Sequence, residues 1–151
     1  MAKTISRRSA IIAAVLLASS LSLSYIAAGN AVTVRYVEVG LEDGVRSCVA
    51  VYLPRDESIG GALLLHGFSG TKEGLALLAT SLAEAGYVVF TPDWRGHGGS
   101  GGTLSGQNAA IKGDAAVFAE VLRSTYNLSF TVIGGHSMGG AFAQLVASEL
   151  N

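Results

Sequence analysis

Two segments of this 151-residue chain place a serine between glycines with the spacing G-x-S-x-G: Gly135-His136-Ser137-Met138-Gly139 and Gly98-Gly99-Ser100-Gly101-Gly102. A serine hydroxyl is a weak nucleophile until a neighbouring base takes its proton. A sharp strand-to-helix turn is one way to lift it clear of the chain, where it can reach a carbonyl carbon. In a chain with 20 glycines the pattern alone selects neither serine. Context selects one. Ser137 follows the apolar run "TVIGG" and precedes the apolar segment "AFAQLVASEL", so it sits between a strand and a helix. Ser100 has a glycine-rich stretch on both sides and is expected to belong to a mobile loop.

A serine that attacks a carbonyl also needs N–H donors for the negative charge that develops on the carbonyl oxygen. The turn supplies the N–H of Met138, at the start of a helix whose dipole favours an anion there. The second donor is expected from the loop after the first buried parallel strand. That loop reads "HGFSGTKEG"; Phe68 N–H is the expected donor, with Gly67 letting the backbone turn inward and His66 beneath as a structural hydrogen-bonder. Gly135, His136 and Gly139 flank Ser137. The small glycines let strand and helix pass close together.

The elements that must hold these groups are legible in the hydrophobic pattern. Residues 31–40 alternate apolar and polar and read as a half-buried strand, and residues 45–54 form a second, paired with the first as a hairpin at a sheet edge. Residues 62–65, 87–92 and 128–135 are short apolar runs, as expected of strands buried on both faces. Helices are predicted between them: 71–86, with Leu75, Leu78, Leu82 and Ala85 as the inner stripe and Gly86 as C-cap, and 108–127, with Ile111, Ala115, Phe118 and Leu122 inward. A last helix runs from Gly139 to Leu150. Strands alternating with helices imply an α/β fold with a parallel sheet.

Half the residues are apolar, and the mean hydropathy of +0.46 is partly concentrated at the start. Lys3, Arg7 and Arg8 precede an apolar run from Ala10, with small residues near Ala27-Ala28-Gly29 and no acid before Glu38. That is the pattern of an export signal. A retained anchor, associating with the membrane through residues 10–28, is the alternative, since the run is nearly long enough to span a bilayer. Either reading divides the chain into a leader, 1–29, and a domain, 30–151, on the outer side of the membrane. Three of the ten Lys and Arg lie in the leader and none of the eleven Asp and Glu, so the domain carries seven bases against eleven acids. With no block of positive charge, no nucleic-acid partner is expected. Cys48 is the only cysteine, which excludes an internal disulfide; it reads as a small buried hydrophobe. The three histidines lie in separate glycine loops without ligand spacing, so no metal or organic cofactor is expected.

Together, "LLLHGFSG", "VVFTPDWRGHGGSGG" and "VIGGHSMGG" stand in the order and at the intervals of an α/β-hydrolase, and residues 31–140 resemble the first half of that fold in its esterase, lipase-like and serine aminopeptidase-like branches. The resemblance implies an α/β-hydrolase-type sheet, an edge hairpin plus parallel strands flanked by helices. It implies Ser137 as nucleophile, Phe68 and Met138 as oxyanion donors, and cleavage of an ester, thioester or peptide bond in a small-molecule or peptide substrate through an acyl-enzyme. In this fold the catalytic acid and histidine follow the nucleophile in chain order. None of the three histidines follows Ser137. The expectation is an N-terminal part of the enzyme, with acid and histidine downstream of Asn151 and the nucleophile strand left as an apolar edge open to self-association. A non-catalytic interaction module and an acyltransferase remain the alternatives. Among the other polar residues, His97 is expected to tie down its loop with Asp93 and Arg95, Asp114 to cap or decorate a helix, Trp94 to pack under the loop, and His136 to point away from Ser137.

Overall fold

The computed structural model describes residues 7–29, 32–104, 108–128 and 131–147. Two compact units divide at Ala31 and Val32. In the first, the leader forms a single helix, α1 (Arg7–Gly29); Lys3 lies outside the described residues. Among the described residues no helix is long and apolar enough to cross a membrane.

The second unit is a five-stranded sheet in the order β1-β2-β4-β3-β5. Its strands are β1 (Thr33–Gly40), β2 (Arg46–Leu53), β3 (Gly60–Leu65), β4 (Tyr87–Pro92) and β5 (Thr131–Gly135). The first two form the expected antiparallel edge hairpin, and β2 pairs antiparallel with β4. From there the sheet is parallel, β4 with β3 and β3 with β5. Its helices are α2 (Ala76–Glu84), α3 (Asn108–Tyr126) and α4 (Met138–Ala147).

The two-residue side-chain period of a strand sorts the apolar residues onto two faces. On one face Val49, Val51, Leu63, Leu65, Val88 and Phe90 meet α3 and α4 through Ile111, Ala115, Phe118, Leu122, Phe142 and Val146. On the other, Ala50, Tyr52, Ala62, Leu64 and Val89 meet Ala79 and Ala83 of α2. All six residues of β3 are buried, because both faces are covered there.

The α3 stripe falls as its spacing predicts. The α2 stripe does so only in part: Leu75 and Leu82 pack against the core but Ala85 is exposed, because a 3-10 turn, Lys72–Leu75, precedes the helix and shifts its register. Ala79 and Ala83 therefore face the sheet, and Leu78 is 51% exposed. At the far side β5 pairs only with β3 among the described strands, and Val132 is half exposed, as expected of an apolar edge.

Asp114 is neither a cap nor a solvated acid. It lies seven residues into α3, buried, where both oxygens take Arg95 in a two-pronged bond of 2.7 Å from Nε and 2.6 Å from Nη2. Arg95 also reaches Asp43 in the β1–β2 turn at 2.7 Å, so one guanidinium joins the hairpin, the glycine loop and α3. These hydrogen bonds, Asp114 first and then Asp43, hold the Arg95 pKa above its ordinary value. Removing one partner from a nearly buried pair strands the other charge. Asp114→Ala should lower the unfolding free energy by about 3 kcal/mol, and the paired replacement Arg95→Met with Asp114→Leu by less, measured as urea midpoints.

Candidate functional site

Ser137 stands between the end of β5 and the first residue of α4, with a φ of 53°. That left-handed conformation is uncommon for a residue with a side chain and costs of order 1 kcal/mol or more, so the surroundings must impose it. They do so by main-chain contacts. His136 N–H donates to Leu65 O at 3.0 Å and ties the turn to the end of β3. Gly139 N–H donates to His136 O at 3.0 Å, and Ala141 N–H to Ser137 O at 3.2 Å, which starts the helix. Gly139 passes so close to β3 that a Cβ there would lie 2.1 Å from Leu65 O. The result is an exposed Ser137 at the tip of a tightly crossed strand and helix.

The loop after β3 lies directly against this turn. A Cβ on Gly67 would sit 3.4 Å from Ser137 Cβ and 3.1 Å from His136 Nδ1. The loop owes its shape to the two other histidines. His66 is buried; its Nδ1–H donates to Gly67 O at 2.7 Å, and its Nε2 accepts from Trp94 N–H at 3.1 Å. That pair of bonds requires the neutral ring with the proton on Nδ1. Burial favours the same state, pushing the His66 pKa below its ordinary value against the opposing pull of the Gly67 bond. Gly70 N–H also donates to Gly67 O, at 3.0 Å. In a trans peptide C=O and N–H point to opposite sides, so anchoring Gly67 O inward turns Phe68 N–H away from the interior. Met138, as first residue of α4, has no carbonyl one turn back within the helix for its own N–H.

His97 differs in part from expectation. It does tie down its loop, through Nδ1 to Arg95 O at 3.2 Å, but its Nε2 bonds Phe68 O rather than Asp93. Asp93, fully buried at the end of β4, pairs with Lys72 (Nζ–Oδ2 2.6 Å). Trp94 packs under the loop as expected, its ring among Phe118, Phe142 and His66, and its Nε1–H donates to His66 O at 2.9 Å.

Ser100 is more ordered than its glycine neighbours suggest. Its hydroxyl accepts from Cys48 N–H at 2.8 Å and donates to Asp93 O at 2.9 Å. Both its proton and a lone pair are taken by main chain, which leaves it a strut. Cys48 is half-buried, against Gly99. Lys72 is the residue that sequence reasoning passed over, and Asp93 was expected to meet His97 rather than Lys72. The one available signal was a lysine in the first turn before an apolar helix, with an aspartate ending an apolar strand; neither identifies its partner. Among the described residues no group of three or more His, Cys, Asp or Glu could hold a metal ion.

Three outcomes test this geometry. Gly139→Ala should destabilise the fold by about 3 kcal/mol, because the new methyl meets backbone that cannot give way. Ser137→Gly should instead raise stability by about 1 kcal/mol by relieving the positive φ, read from thermal melts. The third concerns acid. The hydrogen bond from Lys72, then that from Thr71, lowers the Glu73 pKa from 4.5 to about 2. A depressed carboxylate stabilises the fold above its unfolded value, so this contribution is present above about pH 4.5 and lost as pH falls towards 2. Glu73 is mostly exposed, so the loss should be small and should shrink with added salt in unfolding midpoints taken along that pH range.

Comparison with known proteins agrees with this architecture. The sequence profile described as "Serine aminopeptidase, S33" matches residues 57–150. Lipase 3 of Moraxella sp. (strain TA144) is 34% identical over 100 residues, covering 66% of this chain and 31% of the lipase. Cutinase 1 of Thermobifida cellulosilytica is 31% identical over 101 residues, covering 66% of this chain and 38% of the cutinase. These alignments thus span about a third of the relatives' length. Among solved structures, an esterase of Pyrococcus furiosus superposes with a TM-score of 0.71 at 23% identity, covering 80% of this chain and 46% of that one. An epoxide hydrolase of Vigna radiata superposes at 0.63 with 20% identity, over 77% of this chain and 35% of the other, and shares the fold. On the profile match and the shared sheet, the chain belongs to the α/β-hydrolases, in the serine aminopeptidase S33 family.

Proposed function

We propose that Ser137 is the nucleophile of a serine hydrolase that cleaves carboxylic esters through an acyl-enzyme. The observation that carries the reading is the strained φ of Ser137 on a strand-to-helix turn, a conformation held by neighbours and exposed at its tip. The Gly67 contact, which brings the Phe68 amide to the same turn, supports it, as do relatives named lipase and cutinase. In the reaction Ser137 Oγ bonds to the carbonyl carbon and gives its proton to a base. The tetrahedral oxyanion takes hydrogen bonds from Phe68 N–H and Met138 N–H. The ester C–O bond then breaks, the alcohol leaves with the proton, and water releases the acid from Ser137.

The base and its orienting acid belong to chain outside the described residues. Both ring nitrogens of His66 are hydrogen-bonded to main chain, those of His97 face main-chain carbonyls, and the aligned part of the relatives is about a third of their length. Thioester and peptide substrates, and transfer of the acyl group to an alcohol or amine, use the same first step. Residues 1–29 act as an export signal, supported by Lys3 and by Arg7 and Arg8 at the start of an apolar helix that forms a unit of its own.

A fluorophosphonate probe should label Ser137 in the full-length chain that carries the base and acid. Ser137→Ala should remove the label and Ser100→Ala should keep it, as read by peptide mass spectrometry. The open outer side of β5 favours a second reading, an interaction module that pairs by strand addition. Absence of labelling together with a discrete oligomer in sedimentation would select that reading instead.

A further inference from the structure

Deep under the glycine loop lies an ion pair that the reaction does not use. We propose that Asp93 and Lys72 are positioning residues: their buried pair fixes the far end of the loop 67–71 and thereby where the Phe68 amide stands relative to Ser137. The inference rests on the reading of Ser137 as nucleophile.

Lys72 is the residue at which the loop ends and the 3-10 turn begins. Asp93 grips it twice. Oδ1 accepts the main-chain N–H of Lys72 at 2.7 Å, and Oδ2 accepts Nζ at 2.6 Å. The carboxylate is itself immobilised. Asp93 N–H donates to Cys48 O at 2.8 Å, Ser47 Oγ and Ser100 Oγ donate to Asp93 O at 2.7 and 2.9 Å, and Gly99 N–H donates to Oδ2 at 2.8 Å. Gly98, at a φ of 49°, lets the loop close over it; a Cβ there would lie 2.1 Å from Oδ2.

The near end of the 67–71 loop is pinned by His66 through Gly67 O and its middle by His97 through Phe68 O, so with the Lys72 end the segment that carries Phe68 is held at three points. All three hang from the residues that follow β4, Asp93, Trp94 and His97, not from the turn that carries Ser137. The loop and the nucleophile are thus set by neighbouring strands of one sheet, and the pair sets the spacing between them. Burial works against the charge on Lys72, but the hydrogen bonds that its ammonium donates to Asp93 and Glu73 outweigh it and hold the charged form. An apolar pair of the same size would fill the space without directing the Lys72 N–H.

The test is the kinetics of fluorophosphonate labelling in the full chain, resolved into the inactivation rate constant and the reversible binding constant. Lys72→Met alone leaves a bare buried carboxylate and could unfold the domain, so the deciding variant is Asp93→Leu with Lys72→Met, which buries no charge and leaves the Lys72 N–H without its acceptor. With the far-UV circular dichroism unchanged, the inactivation rate constant should fall by about 10²-fold, the effect of misplacing a donor by about an ångström. The reversible binding constant should stay within about twofold, because the loss lies in the bond-forming step. Lys72→Arg, which keeps the charge and the main-chain bond, should recover much of the rate. Leu122→Ala, a core change in α3, should lower stability and leave the rate constant alone. A folded double variant that labels at the parent rate overturns the proposal, and so does a Leu122→Ala variant that loses rate in proportion to stability. If the parent chain is not labelled at Ser137, the nucleophile assignment falls and this inference with it; labelling of the parent with unaltered variants removes only the positioning role.

Discussion

Everything at the site depends on how closely one helix can cross the end of a strand. The first residues of α4 run against the Leu65 carbonyl at the end of β3, and the space between them admits no side-chain carbon at Gly135 or Gly139. That contact is repulsive in origin, a steric limit rather than an attraction. It forces the chain to reverse within His136 and Ser137, and the positive φ of Ser137 is the consequence. A residue with a larger footprint at either glycine would move the helix outward and let the turn relax. The hydroxyl would then lose its exposed, strained station.

Around that crossing the polar groups are arranged as a single tier. Asp93, His66, His97, Ser47 and Ser100 spend nearly all their hydrogen bonds on main-chain atoms of neighbouring loops, and few on each other's side chains. Each loop at this end of the sheet lacks regular secondary structure, so its amides and carbonyls need partners from somewhere. The tier supplies them. Buried polarity here orders backbone, which explains why two of the three histidines are unsuited to proton transfer.

The sheet and the strand-to-helix turn at Ser137 were legible because their signals are local. Apolar runs such as 62–65 and 87–92 have the length of buried strands, and "GGHSMGG" combines small residues with a strand before it and a helix after it. The stripe of α3 was equally local. The polar tier was not, since Lys72 meets Asp93 across 21 residues and Arg95 meets Asp43 across 52, distances over which periodicity carries no information. Asp114 read as a surface acid for the same reason. The α2 stripe held at Leu75 and Leu82 but missed Ala79 and Ala83, because a short 3-10 turn with a three-residue period precedes the helix. Ser100 looked mobile from glycine content alone, whereas the glycines serve to let its loop fold onto the carboxylate of Asp93.

The anchoring of Gly67 O by the His66 ring has an electrostatic consequence. A peptide carries a dipole, and holding its negative end inward leaves its positive end facing out beside the serine turn. Because the ring is buried and bonded on both nitrogens, that dipole cannot swing when a charge appears in front of it. In water, solvent dipoles must reorient around each new anion, and that reorientation is part of the barrier. Here the orientation is completed once, as the chain folds, and it is the same before, during and after any encounter with a substrate.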